Sequence, residues 1–337
     1  LERYLDAHSR RLLVTPMAVA RLMVALAVRE GCSVLDPSCG TGNLLVAADD
    51  AGAAELAGQD LDTSATQVAG AQLLLRRPAA EVVVGDSLRA DAFPGRRFDA
   101  VVCDPPTGDR SWGYDDLIGD ARWEHGLPPR GEPGLAWVQH CVAHLEEGGT
   151  AAVLMPPSAA ARRAGRRIRS SLLRSGVLRA VVALPPETSP SSDIWLLRRP
   201  RRRDDLPADV LLVLASGLDD VEPIWNSFRA DRCPADTQSR RVRILDLLDA
   251  ASALAPPRHV ATTAPVDGDF GEMRARFVVT MDDLAAGVPR LSTRPARRAL
   301  TMTTIGDLAK AGLVAITQAP LRMELGTGDM PVLTAKD

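Results

Sequence analysis

The sequence predicts an α/β fold with a mostly parallel sheet. Short apolar segments of strand length alternate with longer segments whose apolar residues have helical spacing, and this alternation is typical of a parallel sheet covered by helices on both faces. Two of the strand-like segments end in turns rich in proline and glycine, at residues 36–42 and 104–108. With 337 residues, 46% hydrophobic and 25% charged, the chain can bury a sizeable core and is long enough for two domains.

The N-terminal part of the chain predicts a helix, a strand and a turn whose backbone can lie close to a ligand. Residues 1–30 are predicted to be helical, with Thr15-Pro16 as a helix start. Val34 and Leu35 end a buried strand, and the following Pro and Gly residues at 37–42 favour a turn before the helix at 43–48. Strand, Gly-rich turn and helix bring backbone close to a nucleotide-like ligand, although the spacing matches neither a dinucleotide-binding nor a phosphate-binding loop.

Acidic residues follow two further predicted strands. The strand at 54–60 ends in Asp60, 24 residues beyond Asp36, and an acid at about this distance can accept hydrogen bonds from ribose hydroxyls. The third predicted strand spans 81–88, and its polar end contains Asp86 and Ser87. A surface turn is the alternative explanation for both acids, and the residues alone leave it open.

The remaining segments continue the alternation. The strand at 100–103 ends in Asp104-Pro105-Pro106-Thr107-Gly108, and a helix at 135–146 is predicted to end at Gly148-Gly149. Further predicted elements are a strand at 150–155, an arginine-rich helix at 159–174, and strands at 177–184, 193–197 and 208–215.

Two motifs together resemble the N6-adenine DNA methyltransferases. D-P-x-C-G-T-G at 36–42 and D-P-P at 104–106 occur in this order, each at the end of a strand, and most resemble the methylation subunit of type I restriction–modification systems. The resemblance covers about residues 12–200. It implies a Rossmann-like, S-adenosylmethionine-dependent methyltransferase fold whose mostly parallel sheet has seven strands, the last of them antiparallel.

The resemblance also implies function. It predicts an adenine-specific enzyme that methylates adenine N6 in DNA, as part of a restriction–modification or related defence system. The implied cofactor is S-adenosyl-L-methionine, and the implied substrate is double-stranded DNA with a flipped adenine. Specificity and restriction subunits are the partners that such a system allows. The resemblance divides the chain into a catalytic domain (1–218), a partly helical connector (219–299) and the truncated start of a target-recognition-like domain (300–337).

The catalytic residues implied by the resemblance are Asp104, Pro105, Pro106 and Thr107. The Asp104 carboxylate and the Pro105 carbonyl accept hydrogen bonds from the adenine amino group. Thr107 departs from the family, which usually has an aromatic residue there to stack on the flipped base, and Trp112 is the candidate substitute. The implied cofactor-binding residues are Thr15, Asp36, Pro37, Ser38, Cys39, Gly40, Thr41, Gly42, Asp60, Asp86 and Ser87.

Cysteine usage and hydropathy favour a cytoplasmic protein. The five cysteines show no CxxC spacing, which suits reduced thiols. We expect no signal peptide and no membrane span, since no apolar run approaches the ~20 residues that a span needs. His140, Cys141 and His144 offer metal-ligand chemistry, but ordinary helix packing beside Trp137 and Leu145 is favoured, and we predict no metal.

The net charge of −3 does not by itself indicate a nucleic-acid partner. Only Lys310 and Lys336 are lysines, so 38 of the 40 basic residues are arginine. Arginine is clustered at 162–179 and 198–203. These clusters could contact phosphates beside an active-site cleft, or they could form a solvated surface, and the sequence leaves both interpretations open.

Two other functions remain open at this point. N/D-P-P motifs also serve methyltransferases that act on protein glutamine or RNA. A non-catalytic DNA-binding component that retains the cofactor fold is the third hypothesis, and Thr107 is the residue that favours it.

Overall fold

The computed structural model describes most of the first 260 residues. The described ranges are 14–76, 79–108, 111–186, 188, 192–201, 206–232, 238–249, 252–260, 274–275, 277–281 and 304–313. The chain divides into two compact units, Leu1–Pro265 and Val266–Asp337. The first unit has the predicted α/β architecture, and the predicted domain boundary at residue 218 stays a prediction.

In the described ranges, nine strands form one sheet. They are β1 (Ser33–Asp36), β2 (Glu55–Asp60), β3 (Glu81–Val84), β4 (Phe98–Cys103), β5 (Leu145–Met155), β6 (Leu178–Ala183), β7 (Asp193–Arg198), β8 (Asp209–Leu214) and β9 (Ser239–Arg243). Their order across the sheet is β3-β2-β1-β4-β5-β7-β6-β8-β9. Strands β1 to β6 and β8 are parallel, while β7 and β9 are antiparallel to their neighbours.

Helices cover the two faces of the sheet in the first unit. They are α1 (Met17–Ala27), α2 (Asn43–Asp50), α3 (Thr63–Arg76), α4 (Pro133–Ala143), α5 (Arg166–Arg174), α6 (Val221–Arg229) and α7 (Ile244–Asp249). In the second unit, α8 (Ile305–Lys310) begins with a capping box between Thr304 and Asp307. None of the helices in the described ranges combines the length and the apolar character that crossing a membrane requires.

Strand residues alternate between two buried clusters, one on each face. Leu35 and Val101 belong to the cluster under α4 and α5, whereas Val34 and Val102 belong to the cluster under α1 and α2. A strand buried on both faces has a continuous apolar sequence, which explains why the central strands could be predicted.

The sheet has nine strands, so the predicted seven-stranded sheet is wrong in its strand number. Strand β8 matches the extra strand predicted at 208–215, and β9 was not predicted at all. The β9 sequence, Ser-Arg-Arg-Val-Arg, has one apolar residue, and backbone pairing with β8 determines its conformation.

Three predicted element boundaries are also wrong. The strand predicted at 81–88 ends at Val84, because Asp86 accepts from the N–H groups of Leu88 and Arg89 and closes a turn. Gly148 and Gly149 lie inside β5 instead of ending a helix, because they form an irregularity where the pairing of β4 with β5 shifts after Phe98. A Cβ on Gly149 would lie 2.8 Å from the Asp99 carbonyl oxygen, so this close approach requires glycine. The arginine-rich helix begins only at Arg166, preceded by a 3-10 turn at Pro157–Ala160.

Candidate active site

A cavity of about 590 Å³ opens where the parallel strands β1 to β4 end. The strand order places β1 between β2 and β4, so the turns that follow these strands converge on one edge of the sheet. All the residues predicted for the site line this cavity except Gly42 and Thr107. The structure therefore brings the two sequence motifs together.

The Gly-rich turn after β1 is held by hydrogen bonds between its backbone and the side chains of Asp60 and Ser87. Gly40 and Gly42 have positive φ values of +50° and +93°, a conformation that glycine adopts without strain. The Gly40 N–H donates to Asp60 Oδ2 at 2.7 Å, and the Ser87 hydroxyl donates to the Pro37 carbonyl at 2.6 Å. A Cβ on Gly42 would lie 3.0 Å from Ala69 Cβ, so Gly42 serves close packing of the turn against α3.

Cys39 packs below the turn. A Cβ on Gly58 of β2 would lie 3.2 Å from Cys39 Sγ and 2.7 Å from Leu45 Cδ1, so this pairing needs a small residue on the strand. Burial raises the pKa of the Cys39 thiol well above its usual value. Cys39 therefore packs against β2 and α2 and lines the cavity with an uncharged thiol.

The two acids predicted to contact a ribose or a base also organise loops. Asp60 accepts from the N–H groups of Gly40 and Asp62, and burial raises its pKa. Asp86 Oδ1 accepts from the N–H groups of Leu88 and Arg89. Each carboxylate oxygen has a second lone pair, so both acids can still accept from a ligand.

The cavity is acidic. Its lining contains Asp36, Asp60, Asp62, Asp86 and Asp104, and the described lining residues include no lysine or arginine. Asp36 is fully buried, and its Oδ2 has no hydrogen-bond partner among the described residues. Burial, with the charges of Asp60 and Asp104 nearby, raises the pKa of Asp36 well above its usual range. A buried acceptor without a donor is costly, so this cavity suits a ligand that carries positive charge and disfavours polyphosphates.

Asp104 follows the last residue of β4 and lines this cavity. Its Oδ2 accepts a hydrogen bond from the Thr15 hydroxyl at 2.7 Å, and burial raises its pKa. The Pro105 carbonyl accepts from the Thr107 N–H at 2.8 Å and keeps a second lone pair for another donor. The segment thus presents two oxygen acceptors, a carboxylate and a carbonyl, on a backbone stiffened by two prolines.

Thr107 lies beside α4 and does not line the cavity. Its Cγ2 would be 3.3 Å from a Cβ built on Gly134, in the first turn of the helix. Trp112 and Trp137 are the rings in the lining, and both are largely buried. The Trp112 ring is held by an Nε1–H bond to the Arg130 carbonyl at 3.1 Å, so it forms a fixed wall of the cavity.

A second group of polar side chains lies away from the cavity. Asp91, His140 and His144 each offer one atom that could coordinate a metal ion, and these three atoms all lie within 4.8 Å of one another. His144 contacts Asp91 Oδ2 and the Arg96 carbonyl, while His140 Nδ1 faces the Arg122 guanidinium at 2.8 Å. Burial lowers the pKa of His140 well below its usual value. These hydrogen bonds between described residues account for the group, and we assign it no metal.

Several lining residues were not predicted from the sequence. Asn43 and Asp62 follow the predicted turn and strand directly, and proximity in sequence to the motifs could have indicated them. Val14, Leu61, Leu88 and Trp137 carry no chemical signal of their own, because only the fold brings them to the edge of the sheet.

Known proteins are similar to this chain over the same region. A family model described as N-6 DNA Methylase matches residues 7–262. The methylase subunit of the type I restriction enzyme MjaIX from Methanocaldococcus jannaschii is 28% identical over 225 residues, which cover 60% of this chain and 40% of that subunit. A tRNA (guanine(10)-N2)-dimethyltransferase from Pyrococcus abyssi is 38% identical over 102 residues, covering 29% of this chain and 30% of that protein.

A solved structure shares the fold. The methyltransferase subunit of the type I restriction-modification system from Streptococcus thermophilus superposes with a TM-score of 0.62 at 23% identity, covering 74% of this chain and 59% of that chain. The chain thus spans less than two thirds of the MjaIX subunit and of the Streptococcus thermophilus chain.

Proposed function

The chain belongs to the N-6 DNA methylase family, and on that premise we propose that it transfers a methyl group from S-adenosylmethionine to adenine N6 in duplex DNA. The observation that carries this proposal is the convergence of the Gly-rich turn and the Asp104-Pro105-Pro106 segment on one cavity. Assembly with specificity and restriction subunits, and a cytoplasmic location, belong to the same proposal.

The acidic lining supports S-adenosylmethionine as the cofactor. When bound, this cofactor supplies an electrophilic methyl group on a positively charged sulfonium, and it also carries an ammonium group. Asp36, with an oxygen that lacks a donor, fits a positively charged group. Asp60 and Asp86 retain lone pairs for ribose hydroxyls and the adenine amino group, the roles predicted for them.

The two acceptors at the end of β4 support an amino group as the methyl acceptor. Adenine N6 is a poor nucleophile because its lone pair is delocalised into the ring. Hydrogen bonds from its two protons to the Asp104 carboxylate and the Pro105 carbonyl favour tetrahedral geometry and free that lone pair. The contribution of the protein is orientation and preorganised electrostatics. A base inside the duplex cannot reach these acceptors, so it must be flipped out.

An exposed arginine strip supports a nucleic-acid substrate. We define the strip as Arg162, Arg163, Arg166 and Arg167, all exposed and without an ion pair to any described carboxylate. It starts just after β5, at the edge of the sheet where β4 ends in Asp104. Unpaired guanidinium groups beside the site suit phosphate contacts.

Part of the predicted arginine clusters lies elsewhere. Arg169 is buried and donates to the carbonyls of Ser252 and Ala159, and the Arg179 guanidinium lies 5.7 Å from the Phe228 ring centroid. Strand β7 is antiparallel, so Arg198 at its end lies at the opposite edge of the sheet. Arg202 and Arg203 lie outside the described residues.

The double substitution Arg163→Gln and Arg166→Gln should weaken DNA binding equally for all sequences. For each DNA phosphate that the variant no longer neutralises, the slope of log K against log salt should decrease in magnitude by about 0.9. Fluorescence anisotropy with duplex DNA at several salt concentrations measures both effects. The matched control is Arg21→Gln with Arg29→Gln, two exposed arginines of which Arg29 precedes β1 at the opposite edge. Equal slopes for the two double variants would support a merely solvated strip.

Thr107→Phe should raise the rate of adenine methylation. Base–aromatic stacking is worth ~1–3 kcal/mol, so the increase can reach roughly ten- to hundredfold. Thr107→Leu controls for volume without a ring, and tritium transfer from labelled cofactor provides the rate. A lower rate with Phe than with Leu would mean that another ring already stacks on the base.

The proposed function is tested by offering three acceptors to the full protein with any partner subunits. Tritiated S-adenosylmethionine is supplied with unmethylated duplex DNA, with tRNA, or with a glutamine-containing protein fraction. We expect label in DNA only. Label in tRNA would favour the RNA-methyltransferase hypothesis, which the similarity to the tRNA enzyme supports over 102 residues. Cofactor binding without transfer to any acceptor would favour the non-catalytic DNA-binding component.

A further inference from the structure

The Thr15 hydroxyl contacts the carboxylate at the proposed site of methyl transfer. Thr15 Oγ1 donates to Asp104 Oδ2 at 2.7 Å, across 89 residues of sequence. Thr15 is 9% exposed and immediately precedes the Pro that starts α1. No side-chain hydrogen bond caps the N-terminus of that helix, so the Thr15 hydroxyl does not act as its cap. The hydroxyl is therefore committed to Asp104 and not to the helix.

The Thr15 backbone is itself held by Asn43, the residue that directly follows the Gly-rich turn. The Asn43 side-chain amide, at the first residue of α2, donates to the Thr15 carbonyl at 3.0 Å. Asn43, Thr15 and Asp104 all line the cavity. A continuous set of hydrogen bonds thus joins the Gly-rich turn to the carboxylate at the end of β4.

The contact leaves one carboxylate oxygen for substrate. Thr15 occupies Oδ2, and among the described residues no group donates to Oδ1 of Asp104. A carboxylate without such an anchor can rotate about its Cβ–Cγ bond and present either oxygen at a range of angles. Transfer to an amino group requires a fixed acceptor, since misorientation of a reacting group lowers the rate steeply.

We propose that Thr15 is a positioning residue for methyl transfer, fixing Oδ2 of Asp104 so that Oδ1 is presented to the amino group of the substrate. This inference rests on the proposed function, and it assigns to Thr15 a role distinct from the cofactor contact predicted from the sequence. Asn43 supports the role by holding the Thr15 backbone.

The hydrogen bond also affects the protonation of Asp104. Burial raises the pKa of Asp104, and the Thr15 hydroxyl opposes that effect by stabilising the ionised form. Among the described residues, the titratable groups whose charges interact with Asp104 are Asp36 at the end of β1 and the Cys103 thiol at the end of β4, and Asp60 lies in the same cavity lining. Removing the hydroxyl should raise the pKa of Asp104, so the acid limb of the pH–rate profile should move to higher pH.

Thr15→Val tests the proposal, because valine keeps the shape and lacks the donor. In the full protein with its partner subunits, kcat should fall about ten- to hundredfold, the range expected for a hydrogen bond to a charged group. The dissociation constant of S-adenosylmethionine, measured by calorimetry, should stay nearly unchanged. Thr15→Ser restores the donor and should recover most of the rate. Thr150→Val on β5 is the matched control and should have no such effect.

A second readout does not depend on activity. In the chain labelled with ¹³C at the aspartate carboxyl carbon, the Asp104 signal is assigned by its absence from Asp104→Asn. Its titration midpoint should be higher in Thr15→Val than in the wild type and should return in Thr15→Ser. Equal midpoints, or a loss of cofactor binding that matches the loss of rate, would overturn the proposal. A shifted midpoint in a protein that transfers no methyl group would instead refute the proposed function and leave the contact supported.

Discussion

Asp104→Ala is expected to abolish methyl transfer and to leave S-adenosylmethionine binding nearly unchanged. The substitution removes the carboxylate that we propose accepts from the adenine amino group, and loss of one preorganised group of this kind costs roughly 10²–10³ in rate. Cofactor binding should survive, because Asp36, Asp60 and the Gly-rich turn come from other strands. Tritium transfer to DNA measures the rate, and calorimetry measures the affinity for the cofactor.

Two control variants sharpen this test. Asp104→Asn keeps an acceptor oxygen, and the Thr15 hydroxyl can rotate to accept from the new amide, so this variant should retain more activity than Asp104→Ala. Asp116→Ala removes an exposed carboxylate outside the cavity lining and should behave like the wild type. A rate for Asp104→Ala that equals the wild-type rate would exclude Asp104 from the chemistry.

Gly40→Asp is expected to remove saturable binding of S-adenosylmethionine up to millimolar concentration. Gly40 lines the cavity, and a Cβ there would meet nothing within 4 Å, so the new side chain occupies the space that a ligand needs. The backbone at φ +50° lies in the left-handed region, which aspartate tolerates better than most residues. The fold should therefore survive while the site is blocked, and calorimetric titration with the cofactor measures this.

Gly95→Asp is the matched control for this substitution. Gly95 also has a positive φ of +76° and open space at its Cβ position, but it does not line the cavity. Cofactor binding should be unchanged in Gly95→Asp. If wild-type protein itself shows no binding at millimolar cofactor, the link between this cavity and S-adenosylmethionine is wrong.

The parts of the fold that sequence predicts well are those set by local chemistry. Pro37, Gly40 and Gly42 cannot continue a strand, so the turn after β1 follows from the residues themselves, and the apolar runs of β4 and β8 leave no other good assignment. The site follows from these turns, because parallel strands end at one edge of the sheet.

What sequence could not predict depends on contacts between distant segments. The Arg-rich β9 is a strand only because β8 offers it backbone partners. Gly148 and Gly149 belong to a strand because their backbone groups pair with those of Arg199, 50 or more residues away. The same holds for Thr15, which its neighbour Pro16 indicates as a helix cap and which is instead bound to Asp104, 89 residues away. The burial of Arg169 likewise depends on the distant Ser252 carbonyl.

Sequencing of methylated bases tests most directly our proposal that this protein methylates adenine N6 in DNA. DNA is compared from cells with the intact gene, without it, and with the Asp104→Ala allele. We expect N6-methyladenine in a defined sequence context with the intact gene and its loss in the other two. An adenine methylation pattern identical in all three, from cells that express the protein, would contradict the claim.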